Sequence, residues 1–478
     1  MYPSDAVNAP FGGYRPARGD SRSTAEPRVE RRVGTDRRRP VGRGLPTAGL
    51  LLSTVTWYTL FLFASAAPAI LGPLFFGRYG GADGSLFALT TAGVAFVMRP
   101  IGALIFGRLG DTVGRRSALL SSLTLAGTSI VLIGALPVEE SVGRVAPMLL
   151  VALMLLHGLA IGGIWSGMAL SLTEAAPPLR RGLIGGFVQG GVSCGAILAN
   201  VAIFASTSAF DTTTFEQWGW RVPFLAGGLV LVAVLVIAVR RRDRVREPET
   251  AERSHPIRSV LRRPGRLALA AGLLFAANAA FYVTITGTVE YGVTELRLAR
   301  ADLVGGAFVA AVVGVLGALG GGALADRMGR RPVVILGAVA TALWAFPFFW
   351  LVNTAALELV TFAMAVSGLA SALGYGAVAA YLTELFDRRS RYTGTALAYH
   401  LGAALAGGAA QLAVLELPTY VESGVSWFLI GASVLTVLCA LGLPETKPRS
   451  AEQSRFDRLR AGSRASQGRD SQGRGQPA

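Results

Sequence analysis

The chain has 478 residues, 52% hydrophobic and 15% charged, with a mean hydropathy of +0.50 and a formal net charge of +16. A soluble chain carries about a quarter charged residues, so a soluble enzyme, a secreted disulfide scaffold and a fibrous protein are excluded. Its basic charge is arginine apart from Lys447, gathered in the tails and in alternate loops between apolar runs. That distribution sets membrane topology and argues against nucleic acid as a partner.

Residues 1–46 are polar and arginine-rich, with no apolar stretch before Leu45. They are expected to form a disordered cytoplasmic tail touching anionic lipid, and not a cleaved signal peptide. A bilayer span needs about 20 mostly apolar residues. Six such runs are predicted near 47–72, 85–106, 117–137, 147–172, 183–205 and 220–239. A charged linker follows at 240–266, and six more runs lie near 267–289, 303–324, 333–352, 357–382, 393–415 and 425–443. A second polar tail, 444–478, is expected to be disordered. Cys194 and Cys439 fall inside spans and read as small core hydrophobes; no metal or other cofactor is expected. The fold class is therefore all-α integral membrane, with two six-helix bundles at 47–239 and 267–443.

An even number of spans puts both tails, the linker and the 2–3, 4–5, 8–9 and 10–11 loops on one side. The other side holds only Arg78, Arg144, Arg221, Arg297 and Arg300. The positive-inside rule makes the arginine-rich side cytoplasmic, with both termini, in the cell membrane.

The halves repeat. Gly107-Arg108-Leu109-Gly110-Asp111-Thr112-Val113-Gly114-Arg115-Arg116 joins spans 2 and 3, and Gly322-Ala323-Leu324-Ala325-Asp326-Arg327-Met328-Gly329-Arg330-Arg331 joins spans 8 and 9. Leu172-Thr173-Glu174 with Arg180 and Arg181 is matched by Leu382-Thr383-Glu384 with Arg389 and Arg391. Duplicated halves with a site between them mark secondary transporters. Gly114 and Gly329 are placed where a turn needs positive φ. Asp111 and Asp326 are expected to accept from helix N-termini, and Arg115, Arg181, Arg330 and Arg391 to pair with Glu174 and Glu384. Together these are expected to form a gate. Solvated topology charges would explain one copy, but two in register favour a gate.

With these residues the chain resembles the major facilitator superfamily, and within it the metabolite–proton symporter branch of α-ketoglutarate, citrate, shikimate and proline/betaine permeases. Carrying the resemblance are Arg99-Pro100, Gly162-Gly163 with Trp165, Gly219-Trp220-Arg221-Val222-Pro223-Phe224 and Asn278 with Phe281-Tyr282. Phe346-Pro347-Phe348-Phe349-Trp350, Glu384-Leu385-Phe386 and Arg391-Tyr392 complete it. The resemblance covers about 47–446. It implies twelve helices in two pseudo-symmetric bundles, alternating access, a small-molecule substrate, protons as coupling ion, membrane lipid around it and a monomeric state.

The chain departs from the branch where charge is expected. Thr56-Trp57-Tyr58-Thr59 stands for Glu-Trp-Tyr-Asp, Met154 for an arginine, Ile164 for a glutamate, Ala277 for a glutamate and His400 for a glutamine. Intramembrane charge is costly and usually functional, so the losses bear on coupling. The remaining proton carriers are His157, His400 and Glu290, since histidine titrates near physiological pH, although a lone helical histidine is more often a packed core residue. Arg99, grouped with the gate, is expected to snorkel to the cytoplasmic interface, the alternative being a fixed charge facing an anionic substrate. Substrate is expected against Trp57, Tyr58, His157, Trp165, Gln189, Asn278, Tyr282, Tyr375 and His400. The expected activity is secondary transport of a small organic acid or betaine-like solute, coupled to protons. An uncoupled facilitator, a membrane sensor and an integral-membrane enzyme are the alternatives; His157, His255 and His400 make no catalytic cluster with carboxylates.

Overall fold

The computed structural model describes residues 44–240, 255–420 and 423–448. The tail and linker expectations for 1–43, 241–254 and 449–478 lie outside the described residues. Among the described residues, twelve helical stretches are long and apolar enough to cross a bilayer. In chain order they are α1 (Leu45–Ala66), α2 (Gly81–Thr112), α3 (Arg115–Ala135), α4 (Val145–Ala175), α5 (Arg181–Ala209) and α6 (Arg221–Arg240). The second set is α7 (Pro264–Thr294), α8 (Arg300–Met328), α9 (Arg330–Val352), α10 (Leu357–Leu385), α11 (Arg391–Tyr420) and α12 (Gly424–Leu441).

Irregular backbone in lipid survives only where protein satisfies its polar groups. α7 shows how. It breaks between Gly272 and Phe275, and Thr436 of α12 fills the break: its Oγ1 accepts from the Ala276 N–H at 2.9 Å and donates to the Gly272 carbonyl at 3.1 Å. α1 widens into a π turn at Ala67–Leu71, where Pro68 has no N–H to give.

The duplicated segments are less loop-like than expected. α2 runs on to Thr112 and α8 to Met328, so most of each segment is helix and the turn shrinks to one or two residues. Gly114 (φ 141°) and Gly329 (φ 114°) take the positive φ that closes it, and the aspartates ride on the last helical turn. The end of the molecule bearing these turns and both ends of the described chain is called here the turn-motif end, the other the far end.

Three apolar cores result. One lies within α1–α6, around Tyr58, Phe63, Ile130, Met154 and Trp220. A second lies within α7–α12, around Val283, Leu303, Phe348 and Met364. The third joins the halves, drawing Trp57, Trp165 and Val188 from one and Tyr381, Tyr392 and Tyr399 from the other. Close helix approach makes this possible: a Cβ on Gly182 of α5 would stand 2.5 Å from the Gly322 carbonyl of α8, and one on Gly186 2.6 Å from that of Ala318. Small residues at helix interfaces serve this purpose in lipid.

The tail expected from 444 onward starts later. Glu445 accepts from the Arg330 and Arg331 backbone N–H groups at 2.9 and 3.0 Å, capping α9, and Thr446 Oγ1 donates to Glu384 at 2.7 Å.

Candidate functional site

A central cavity holding about 670 Å³ of atom-free space, mouth included, lies between the halves. Trp57 and Phe61 of α1, Arg99 of α2 and Ser193 of α5 face Asn278, Phe281 and Tyr282 of α7, Ser371 and Tyr375 of α10, and small residues of α8 and α11. Arg99 is 1% exposed. Its guanidinium carbon sits 3.6 Å from the Phe96 ring centroid and 5.4 Å from that of Trp57, geometry that stabilises a cation through the ring quadrupole. Its Nε and Nη2 are buried without a hydrogen-bond acceptor. This corrects the snorkelling expectation: the side chain points into the protein centre, toward α7, α10 and α11, and away from the turn-motif interface.

Below the cavity runs an aromatic floor. Tyr375 and Tyr399 share a hydroxyl–hydroxyl bond of 2.6 Å, Tyr399 stacks on Trp165 with centroids 3.5 Å apart, and Trp165 Nε1 donates to Gln189 Oε1 at 3.0 Å. The chain of contacts passes from α10 through α11 to α4 and α5, so it bridges both halves.

The expected site residues separate into three groups. Trp57, Asn278, Tyr282 and Tyr375 line the cavity. Trp165 and Gln189 belong to the floor, and His400 packs edge-on to Tyr399 at 5.1 Å, beside the Gly162 carbonyl of α4. Tyr58 and His157 are placed elsewhere, which corrects their assignment. The Tyr58 hydroxyl donates to the Pro223 carbonyl at 2.7 Å and the ring packs against Gly227 of α6. His157 is fully buried beside the Ala126 carbonyl of α3, inside the first bundle. Those backbone carbonyls aside, no ring nitrogen of either membrane histidine has a hydrogen-bond partner among the described residues. Glu290 is half-exposed at the far end and pairs with Arg300 at 3.0 Å.

Tyr399, Phe61 and Phe96 were not singled out from the sequence, and Phe281 only as part of the resemblance. For Tyr399 a signal existed: Tyr392 is seven residues earlier, two turns on the same face, and its hydroxyl donates across the halves to the Gly163 carbonyl at 2.8 Å.

At the turn-motif end the charges meet as expected. Asp111 accepts from the Tyr392 N–H, the Thr393 N–H and the Thr393 hydroxyl at 3.0, 2.9 and 2.7 Å, at the N-terminus of α11. Asp326 accepts from the Gly182 and Leu183 N–H groups at 2.8 Å each, at the N-terminus of α5. Each carboxylate thus meets free amides at the positive end of a helix dipole. Glu174 pairs with Arg115 and with Arg391 at 2.9 Å. Glu384 pairs with Arg330 at 3.1 Å and, more loosely, with Arg181 at 3.7 Å. Each glutamate takes one arginine from its own half and one from the other. Among the described residues no cluster of His, Cys, Asp or Glu could hold a metal ion.

Comparison with known proteins gives the family and the fold. The Major Facilitator Superfamily profile matches residues 49–411 and 321–465. The chain is 30% identical to the inner membrane metabolite transport protein YhjE of Escherichia coli, over 84% of this chain and 94% of that one. It is 28% identical to the shikimate transporter of Escherichia coli, covering 83% and 93%, and 28% identical to its proline/betaine transporter, covering 84% and 83%. Among solved structures, the proton:xylose symporter XylE superposes with a TM-score of 0.66 at 17% identity, covering 85% of this chain and 97% of that one. The fold is shared with XylE, and the sequence relatives are metabolite, shikimate and proline/betaine transporters. The chain belongs to the major facilitator superfamily and is a multi-pass membrane protein, a secondary transporter of small metabolites rather than an enzyme.

Proposed function

We propose that the protein carries a small organic acid, as its anion, across the cell membrane by alternating access of its two bundles. The observation that carries this reading is Arg99: it is the one charged side chain among the described residues lining the cavity, and no carboxylate lines it. A carboxylate and a guanidinium form a short, charge-assisted, often bidentate pair, and two buried N–H groups of Arg99 have no other acceptor. A betaine or proline also needs a partner for its cationic nitrogen. The rings of Trp57, Phe61, Phe281 and Tyr282 are present for that, but Trp57 already lies under the Arg99 charge. The shikimate relative is therefore the better guide to solute class than the proline/betaine one.

The arginine bias of the sequence supports a topology in which the turn-motif end faces the cytoplasm. Proton coupling through His157 or His400 draws no support from their positions, since both rings lie off the cavity.

Thermal unfolding and tryptophan fluorescence of the purified chain with shikimate, benzoate, glycine betaine, proline and xylose test the solute class. Shikimate or benzoate is expected to stabilise it. Arg99→Gln should weaken that binding by about 10–100-fold, from the ~1.5–3 kcal/mol of hydrogen bonds to a charged group. Stabilisation by betaine or xylose alone, unchanged in Arg99→Gln, sinks the organic-acid reading.

A further inference from the structure

We infer that the protein is an obligatory one-for-one exchanger of small monoanions: the loaded carrier passes between its two open states and the empty carrier does not. This rests on Arg99 holding an anion, as proposed above.

The centre of the molecule carries an unbalanced charge. Among the described residues, every group that faces Arg99 is neutral: Trp57 from α1, Phe96 from its own helix, Tyr282 from α7, Tyr375 from α10 and Tyr399 from α11. Thr56 and Thr59, on either side of Trp57, spend their hydroxyls on carbonyls of their own helix at 2.8 and 2.9 Å. The two histidines near enough to feel the charge, His157 and His400, supply no negative partner. Arginine stays protonated in proteins, so the empty centre carries one net positive charge.

In a state opened wide to one side, water entering the cavity would solvate the guanidinium, which is 1% exposed in this structure. Alternating access requires an intermediate closed at both ends, and that intermediate excludes the water. An unpaired charge enclosed in a low-dielectric interior is strongly penalised. One bound carboxylate neutralises it, a dianion would overshoot, and a neutral solute would leave it bare. The ligand's preference for the closed intermediate is then what permits crossing. A carrier that crosses only when loaded can release one anion only by taking up another. Each cycle moves no net charge.

The test uses the full chain in proteoliposomes, with labelled shikimate outside and vesicles either empty or preloaded with unlabelled shikimate. Uptake is expected only into preloaded vesicles, unchanged by an imposed membrane potential or pH gradient. Equal uptake into empty vesicles overturns exchange while leaving the organic-acid reading intact. If shikimate is not carried, crossing of the empty protein decides. Ala379→Cys, buried between α10 and α5, is placed in a Cys194→Ala, Cys439→Ala background and labelled from the turn-motif side. Arg99→Met should label at least about tenfold faster than Arg99 or Arg99→Lys, because removing the charge frees the empty carrier. Equal rates in all three overturn the inference. An Arg99→Met protein that binds shikimate as tightly as Arg99 overturns the organic-acid reading instead.

Discussion

Trp57 and Tyr58 are neighbours in sequence and point about 100° apart around α1, one into the cavity and the other against α6. Tyr58 is accordingly a structural residue. Tyr58→Phe deletes its bond to the Pro223 carbonyl, and about 1 kcal/mol of stability is expected to go with it. Shikimate binding should stay as before; a loss of affinity without a loss of thermal stability would return Tyr58 to the site. The pair also shows what sequence could and could not tell. Residue types in the apolar spans singled out Trp57, Asn278, Tyr282 and Tyr375, and all four line the cavity. The same criteria singled out Tyr58 and His157, which do not line it. In a soluble helix the polar face announces its rotation, but here every face of a span is apolar and rotation is set by partners far away in sequence. Arg99 was misplaced for a related reason. Its distance from the turn suggested snorkelling, while the cation–π contact with Phe96, three residues earlier on its own helix, holds it inward.

At the scale of elements, the number and order of spans were legible because about 20 apolar residues are needed to cross a bilayer and arginines punctuate them. The break in α7 was not. No proline marks residues 272–276, and the feature that sustains it, Thr436, is some 160 positions later. The claim that Thr436 holds the break has a direct check. Thr436→Val keeps the shape but strands an amide and a carbonyl in an apolar interior, at about 1–3 kcal/mol each. A clearly lowered unfolding temperature is expected, with Thr436→Ser restoring it. If Thr436→Val unfolds like the parent, the α7 backbone satisfies itself in some other way. The turn segments show the opposite relation between sequence and structure. Their glycines were identified from the turn they must make, and their helical extensions went unseen because Asp and Thr are ordinary at helix ends.

For the whole molecule, the turn-motif end is a pair of clasps related by the repeat. Asp111 joins α2 to α11 and Asp326 joins α8 to α5, while Glu174 and Glu384 each bridge the halves through Arg391 and Arg181. Only contacts that cross between bundles differ between closed and open states, so only these bias the equilibrium. Glu445 lies outside that set: it caps α9 within its own half and should move with it. The clasps are unequal. Asp111 accepts three bonds from the opposite half, whereas Asp326 accepts two and also pairs with Arg330 of its own half at 3.3 Å. Asp111→Asn is therefore expected to favour the state open at the turn-motif end by more than Asp326→Asn. Loss of a single charge-assisted bond, at about 1.5 kcal/mol or more, amounts to at least a tenfold shift in population. Because one rigid-body opening breaks both clasps, and they stand on separate helix pairs, the two free-energy changes should add in the double mutant. Labelling of Ala379→Cys from the turn-motif side reads all three proteins. Unchanged labelling in the double mutant would mean that the clusters fix topology alone and that closure is held by the glycine-lined contact of α5 with α8.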